Sequence, residues 1–284
     1  KFATKLKHAN ISIACLQECR GKRNGISLAS SYVVAATAAD SKGSYGCEIW
    51  ISTLIPIGVH KGKKIFVKKD SVSIIHSSQR YIIVRIVAGL SSFIVASAHA
   101  PWGISCETER WHKCFSTLLR HCIAKFRYVV VGADLNVTIG QHDELPSIGD
   151  VVKGKCSKNS FDIASMYVSA GFSFPSTVSR YASKWFQRDP HTYITKEGTH
   201  FKTIDYILTS KEIHVECRSV CSLPELICCN GFDHIPVKIT VDKCILNVNK
   251  VYGIIVACSQ TTEHPSGILP ANRSKNLTGK AEHA

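Results

Sequence analysis

The chain has 284 residues, a length that accommodates one large α/β domain or two small ones. Hydrophobic residues make up 45% of it, which is enough for a substantial core. No stretch reaches the roughly 18 apolar residues of a membrane span, and the first residues lack the apolar segment of a secretory signal. We therefore expect a soluble intracellular protein with no membrane partner, and the nucleus is one location that fits.

The charge balance is basic. Lys and Arg number 35 against 21 Asp and Glu, so the formal net charge is +14 and the pI is near 9.2. Such an excess is typical of a solvated basic surface, or of a protein that binds a polyanion, because Lys and Arg neutralise phosphates. Composition alone leaves both interpretations open.

The 13 cysteines do not have the pattern of a disulfide framework, since their number is odd and their spacing irregular. Cys217, Cys221, Cys228 and Cys229 cluster near His214, which leaves a zinc site open. We expect most of the cysteines to be small buried apolar residues in a reducing compartment.

Short apolar runs alternate with amphipathic stretches along the chain. A short basic helix precedes the first predicted strand. The predicted strands are 11–16, 46–52, 81–87, 92–98, 128–131, 204–208 and 236–241. The clearest helix is 107–126, with acids in its first turn and one apolar face formed by Trp111, Phe115, Leu118, Leu119, Cys122 and Phe126.

This order predicts one α+β domain over residues 1–245. Hairpins mixed with strand–helix–strand units favour two packed mixed β-sheets flanked by helices over a doubly wound parallel sheet. From residue 246 the pattern dissolves, and 259–284 are rich in Ser, Thr, Asn, Gly and Pro. We therefore expect 246–284 to be a disordered tail.

Acidic, amide and imidazole side chains recur at the ends of these predicted strands. Taken singly, each is typical of a helix cap or a turn. Five strand ends that carry such residues in one chain favour a shared cleft, because the ends of neighbouring strands meet at one edge of a sheet. The residues are Glu18, His99, Asp134, Asn136, Asp205, Asp233 and His234.

The order of these motifs resembles the endonuclease/exonuclease/phosphatase superfamily, which includes DNase I-like nucleases and abasic-site endonucleases. The motifs are LQE at 16–18, HAP at 99–101, D-x-N at 134–136, IDYIL at 204–208 and DH at 233–234. The resemblance covers residues 5–242. The stretch 192–206 is most similar to a block in the endonuclease domains of non-LTR retrotransposons.

The resemblance implies a four-layer α/β/β/α sandwich and a Mg²⁺-dependent endonuclease, monomeric and acting on double-stranded DNA. Mn²⁺ could replace Mg²⁺, since hard carboxylate oxygens suit both ions. One alternative is a phosphatase or phosphodiesterase of the same superfamily that acts on inositol phosphates, lipids or RNA. Another is an inactive nucleic-acid-binding relic of a retroelement.

The resemblance also implies a role for each residue at the strand ends. Glu18 and Asp233 would hold the metal. Asn136 would hold the scissile phosphate, while Asp134 would handle the proton of the attacking water. The implied roles of the others are a phosphate-binding His234 that Asp205 orients, and a His99 that serves the leaving oxygen.

The chain departs from the superfamily pattern at several positions. Phe232 replaces the usual Ser before Asp-His, Thr203 stands where Gln or Arg often precedes Ile-Asp-Tyr, and Ala133 replaces Gly. The superfamily's first strand, which ends in an Asn, should precede Leu16 by about thirty residues. We therefore expect a domain truncated at its N-terminus, with that first strand missing and one sheet edge open.

Overall fold

A computed structural model of the chain describes residues 2–60, 63–88, 91–140, 144–152, 154–195, 198–215, 217–226, 234–241 and 253–257. Two β-sheets pack face to face, and helices lie on their outer sides. The strands described are, in chain order, β1 (Ile11–Leu16), β2 (Gly25–Ala29), β3 (Tyr32–Ala36), β4 (Glu48–Ser52), β5 (Gly58–His60), β6 (Lys63–Ile65), β7 (Val72–Ser78), β8 (Tyr81–Ala88), β9 (Ser91–His99), β10 (Val129–Asp134), β11 (Phe172–Ser173), β12 (Tyr193–Ile194), β13 (Phe201–Lys202), β14 (Asp205–Ser210), β15 (Cys217–Ser222), β16 (Val237–Val241) and β17 (Gly253–Ala257).

Both large sheets are mixed. Sheet I has the strand order β15-β16-β17-β1-β4-β3-β2, and sheet II has the order β11-β14-β10-β9-β8-β7. In sheet I the β1–β17 pair is parallel, and in sheet II the β9–β10 pair is parallel; the other pairs are antiparallel. Two small hairpins, β5–β6 and β12–β13, complete the strands. The predicted class of two packed mixed sheets with flanking helices is therefore confirmed.

The helices described are α1 (Phe2–His8), α2 (Cys106–Lys125), α3 (Ser160–Ser169), α4 (Lys184–Arg188) and α5 (Lys211–His214). The N-terminus of α2 is capped by Ser105, whose Oγ accepts a hydrogen bond from the backbone N–H of Thr108 at 3.1 Å. Its predicted apolar face is confirmed, because Phe115 and Leu119 are buried against sheet II. Short 3₁₀ helices lie at Lys69–Ser71, Pro175–Thr177 and Pro224–Leu226.

Three clusters of buried side chains hold these layers together. The first lies between the sheets and joins residues such as Ile13 of β1 and Val95 of β9. The second packs α2 and α3 on the outer face of sheet II, and the third packs α1 on the outer face of sheet I. All six residues of β1 are buried, since both faces of that strand are covered, and this explains its uninterrupted apolar run.

The sequence-based prediction for the end of the chain is wrong for five residues. Gly253–Ala257, expected in a disordered tail, form β17 in the middle of sheet I. This strand pairs in parallel with β1 and antiparallel with β16, so β1 has a paired neighbour on each side, β17 and β4. Residues 242–252 and 258–284 lie outside the described part of the chain.

Two further expectations concern membranes and cysteines. No helix among the described residues is long and apolar enough to cross a membrane. The cysteines in the described part of the chain form no disulfide bond with one another, and Cys15, Cys19 and Cys47 are fully or almost fully buried, as expected of small apolar residues. Cys228 and Cys229 of the zinc alternative lie outside the described residues.

Candidate active site

The ends of five strands meet at one end of the sandwich. In sheet II, His99 ends β9, Asp134 ends β10 and Asp205 begins β14, and the strand register places these three residues side by side. Neighbouring strands lie roughly 4.8 Å apart, so the register alone brings the three side chains into one row. All three are almost fully buried.

Sheet I supplies the opposite side of the same site. Glu18 follows β1, and its Oε1 lies 3.5 Å from Nε2 of His99. His234 precedes β16, and its Nδ1 lies 2.9 Å from Oδ2 of Asp205. The structure thus brings together five of the seven predicted side chains from strands that are far apart in the sequence. Asp233, the second predicted metal ligand, lies outside the described residues.

Asn136, the sixth predicted residue, is held in a tight turn after β10. Its backbone N–H donates to Oδ1 of Asp134 at 2.8 Å, and its side-chain Nδ2 donates to the carbonyl of Ala100 at 2.8 Å. Its φ of 52° lies in the left-handed region, which Asn tolerates better than most residues do. The turn therefore fixes the amide of Asn136 beside the row of His99, Asp134 and Asp205.

Burial changes the protonation of two groups in the row. Burial and the neighbouring Asp205 raise the pKa of Asp134 to about 8. Burial also lowers the pKa of His99 to about 4, although Glu18 acts in the opposite direction. The 3.7 Å contact between Nε2 of His99 and Oδ2 of Asp134 therefore joins two groups whose charged forms are both disfavoured by burial.

The side chains here fit a divalent cation. Asp134, Asp205 and His234 each offer a ligand atom, and these atoms lie within 4.8 Å of one another. Oδ1 of Asp205 is buried and has no hydrogen-bond partner among the described residues. Two neighbouring carboxyl groups oppose each other's ionisation, and a bound cation would remove that penalty. Glu18 stands at the edge of this group, with its side chain 29% exposed.

Gln17 was not predicted as a functional residue, yet it connects three of the strands that carry the site. Its side chain is fully buried, and its Nε2 donates to Oγ of Ser97 and to the carbonyl of Gly132, both at 3.0 Å. Ser97 in turn donates to the carbonyl of Leu16 at 2.8 Å. The signals in the sequence are its place in the LQE motif and its position, as a polar residue, directly after an apolar strand.

A second support surrounds Asp205 and His234. Oγ1 of Thr192 accepts hydrogen bonds from the backbone N–H groups of Ile204 and Asp205, both at 3.0 Å. The ring of Tyr193 packs edge-on against that of His234, with centroids 4.9 Å apart. The stretch 192–206, noted for its motif, therefore positions the Asp205–His234 pair.

Two arginines line the opening of the site. Nη2 of Arg20 lies 3.1 Å from Oε2 of Glu18. The guanidinium of Arg80 lies over the ring of Tyr45 at 3.9 Å, and its Nη1 donates to the carbonyl of His99 at 3.4 Å. These cations place positive charge where an anionic substrate would approach.

Solved structures with this architecture identify the fold. The endonuclease domain of TRAS1, a telomere-specific non-LTR retrotransposon, superposes with a TM-score of 0.55 at 12% identity, covering 84% of this chain and 90% of that one. The 3'-5' exonuclease NExo from Neisseria meningitidis superposes with a TM-score of 0.58 at 14% identity, covering 84% and 93%. The chain has the fold of the endonuclease/exonuclease/phosphatase (DNase I-like) proteins. An AP endonuclease from Archaeoglobus fulgidus is also similar, with a TM-score of 0.54 at 18% identity over 84% and 92%.

The resemblance carried by the motifs is thus confirmed at the level of this DNase I-like fold. No protein-family model and no curated protein sequence matches the chain. Sequence identities of 12–18% support a shared fold but do not establish residue roles. The roles therefore remain predictions for all seven residues: Glu18, His99, Asp134, Asn136, Asp205, Asp233 and His234.

Proposed function

We propose that this protein is a Mg²⁺-dependent endonuclease that hydrolyses phosphodiester bonds of double-stranded DNA, with Mn²⁺ as a substitute. The observation that carries the proposal is the convergence of Glu18, Asp134, Asp205 and His234 on one site, with an orphaned carboxylate oxygen inside it. A phosphodiester is anionic, and its hydrolysis needs positive charge at the non-bridging oxygens and a deprotonated water.

Glu18 and Asp205, with Asp233, which precedes His234 in the sequence, would hold the metal. When bound, the cation supplies a Lewis acid for the phosphate and favours ionisation of a water. Asp134 is suited to take the proton of that water, because a carboxylate whose pKa is raised towards neutrality is a stronger base than an exposed one.

The other side chains hold the phosphate. Nδ1 of His234 lies 2.9 Å from Oδ2 of Asp205, a contact that orients the ring, and the imidazole would contact a phosphate oxygen. Asn136 is fixed by its two hydrogen bonds, so its amide reaches the substrate with little loss of side-chain entropy. His99, kept neutral by burial, acts as a hydrogen-bonding group near the leaving oxygen.

Support for nucleic acid as the substrate comes from charge and from the similar structures. The net charge of +14 suits a polyanion, and a NExo structure similar to this chain contains a product DNA hairpin. That same structure is described as a 3' phosphatase, so a phosphomonoester is the second substrate class to be tested.

The decisive experiment incubates the full chain with supercoiled plasmid and Mg²⁺, beside a 3'-phosphorylated oligonucleotide, an inositol phosphate and a lipid phosphoester. We expect plasmid nicking that EDTA abolishes. Release of phosphate from one of the other substrates, with the plasmid left intact, would replace the endonuclease by a phosphatase. No turnover of any of them, in wild type with Mg²⁺ or Mn²⁺, would indicate an inactive relic.

A further inference from the structure

A cavity opens beside Asn136, between the start of α2 and the start of α3, on a side of the site that the proposed chemistry does not use. Its volume is about 210 Å³. This is room for a single ring system and less than the roughly 300–1,000 Å³ of a drug-sized ligand site. The lining side chains that matter here are Trp102, Ile104, His112, Asn136, Asn159 and Lys202.

The rim of this cavity is unusually apolar for a surface loop. Trp102 is 85% exposed and Ile104 is 65% exposed, the two highest values among the large apolar side chains described. They belong to one turn, which Gly103 allows through its φ of 91°. A free indole beside a concave site is a typical stacking platform for a planar ring.

The floor of the cavity holds an unsatisfied polar atom. His112 is fully buried, and its Nε2 has no hydrogen-bond partner among the described residues. Its Nδ1 lies 2.9 Å from the hydroxyl of Tyr167. Either group can donate in this hydrogen bond, since its direction depends on the tautomer of His112. Burial lowers the pKa of His112, so the ring is neutral and its Nε2 can donate or accept one hydrogen bond.

We infer that this cavity binds one unpaired nucleobase of the DNA next to the scissile phosphate, stacked on Trp102 and read by a hydrogen bond with Nε2 of His112. The inference rests on the proposed function. A nucleobase has the required planar ring and an acceptor atom on its edge. Lys202 at the lining supplies a cation for the adjoining phosphate, and Asn136 borders both the cavity and the row of catalytic side chains.

The test measures binding without cleavage. Fluorescence anisotropy in EDTA compares three DNA hairpins that carry, at one unpaired position, a thymine, an apolar isostere of thymine, or a sugar with no base. Wild type is expected to bind the thymine hairpin most tightly. The hairpin without a base should bind roughly fivefold to a hundredfold less tightly, which is the affinity that stacking of one base on an aromatic ring contributes.

Variants separate the two contacts. Trp102→Ala should remove the preference for a base over no base, and Trp102→Phe should keep most of it. Exposed Leu28 of β2 is the control, and Leu28→Ala should change nothing. His112→Phe should remove the preference for thymine over its isostere, and His112→Gln, which retains an N–H, should restore part of it.

The base preference tests the nucleobase site, and the nicking activity tests the proposed function, so one can be refuted without the other. Equal binding of all three hairpins by wild type, or an unchanged base preference in Trp102→Ala, overturns the nucleobase site. Because Trp102 is exposed, this result does not depend on whether the buried His112 variants fold. Base-dependent binding in a protein that nicks no DNA with Mg²⁺ would overturn the proposed function and leave the cavity assignment in place.

Discussion

Asp205 and His234 join the two sheets across the site, with Oδ2 of Asp205 2.9 Å from Nδ1 of His234. Asp205 begins β14 of sheet II, whereas His234 precedes β16 of sheet I. The carboxylate accepts the Nδ1 proton, so it selects both the orientation and the tautomer of the ring. An amide at position 205 could donate its own N–H to Nδ1, and the imidazole proton would then lie on Nε2 instead of Nδ1.

Asp205→Asn should therefore lower kcat for plasmid nicking by roughly 10²- to 10⁴-fold, the range of a disabled acid–base or orienting group. KM for DNA should change much less. Asp162→Asn, which changes an exposed carboxylate on α3, is the matched control and should leave kcat unaltered. Wild-type kcat in Asp205→Asn would show that the contact between the two residues has no part in turnover.

Glu18→Gln removes one anionic oxygen from the site. Nicking should fall about 100-fold or more, since a charged group is lost from a partly buried centre. Isothermal titration with Mn²⁺ should show weaker binding in the same variant. Glu107→Gln, in the first turn of α2, controls for loss of charge alone. Nicking by Glu18→Gln at the wild-type rate, or full wild-type activity in EDTA, would refute the metal assignment.

Gln17→Leu tests whether the buried amide positions the site. Loss of the two buried hydrogen bonds that Nε2 donates should lower stability by about 1–3 kcal/mol, since each such bond contributes about 0.5–1.5 kcal/mol. We also expect Mn²⁺ affinity to fall roughly 10- to 100-fold, which is typical when a residue that orients the metal ligands through hydrogen bonds is lost. Val33→Ala, a core variant in β3, should lose stability but bind Mn²⁺ normally. Equal affinities in both variants would assign Gln17 a purely structural role.

His112 should make the fold less stable in acid. Burial lowers its pKa from 6.5 to about 4, so the unfolded chain takes up a proton at a higher pH than the folded chain does. The stability that His112 contributes is present above pH 6.5 and is lost as pH falls towards 4, by up to about 3 kcal/mol.

Urea denaturation at a series of pH values measures this loss. His112→Gln should show a shallower decline between pH 6.5 and 4 than wild type does, whereas exposed His8→Gln should not. Contributions from His99 are common to all three proteins and cancel in the comparison. Identical slopes for wild type and His112→Gln would show that the imidazole titrates normally in the folded protein.

β17 should be required for the stability of sheet I. A proline at position 255 cannot donate a backbone hydrogen bond, and proline is excluded from central strands for that reason. Ile255→Pro should therefore lower the melting temperature, as measured by differential scanning calorimetry. Hydrogen exchange offers an independent check on wild type. Amides of residues 254–256 that exchange as fast as those of a free peptide would contradict the placement of β17 between β1 and β16.

Local pattern determined much of the fold. β1 was predicted with its observed bounds, because an apolar run of six residues buried on both faces differs sharply from its polar surroundings. The helix α2 was predicted because its apolar residues recur every three or four positions. β7, with the sequence VSIIHSS, was missed, since an edge strand that is half exposed has no clear apolar alternation.

The sequence by itself also determined which side chains are candidates for chemistry, since Glu18, His99, Asp134, Asn136, Asp205 and His234 stand at strand ends within recognisable motifs. Only the tertiary structure decided what each of them touches. Gln17 acquires its role from Ser97 and Gly132, which are 80 and 115 residues away. β17 likewise finds its place beside β1, which lies at the other end of the described chain. Hydrogen bonds of this kind depend on strand register, and register follows from the packing of whole sheets rather than from any local run of residues.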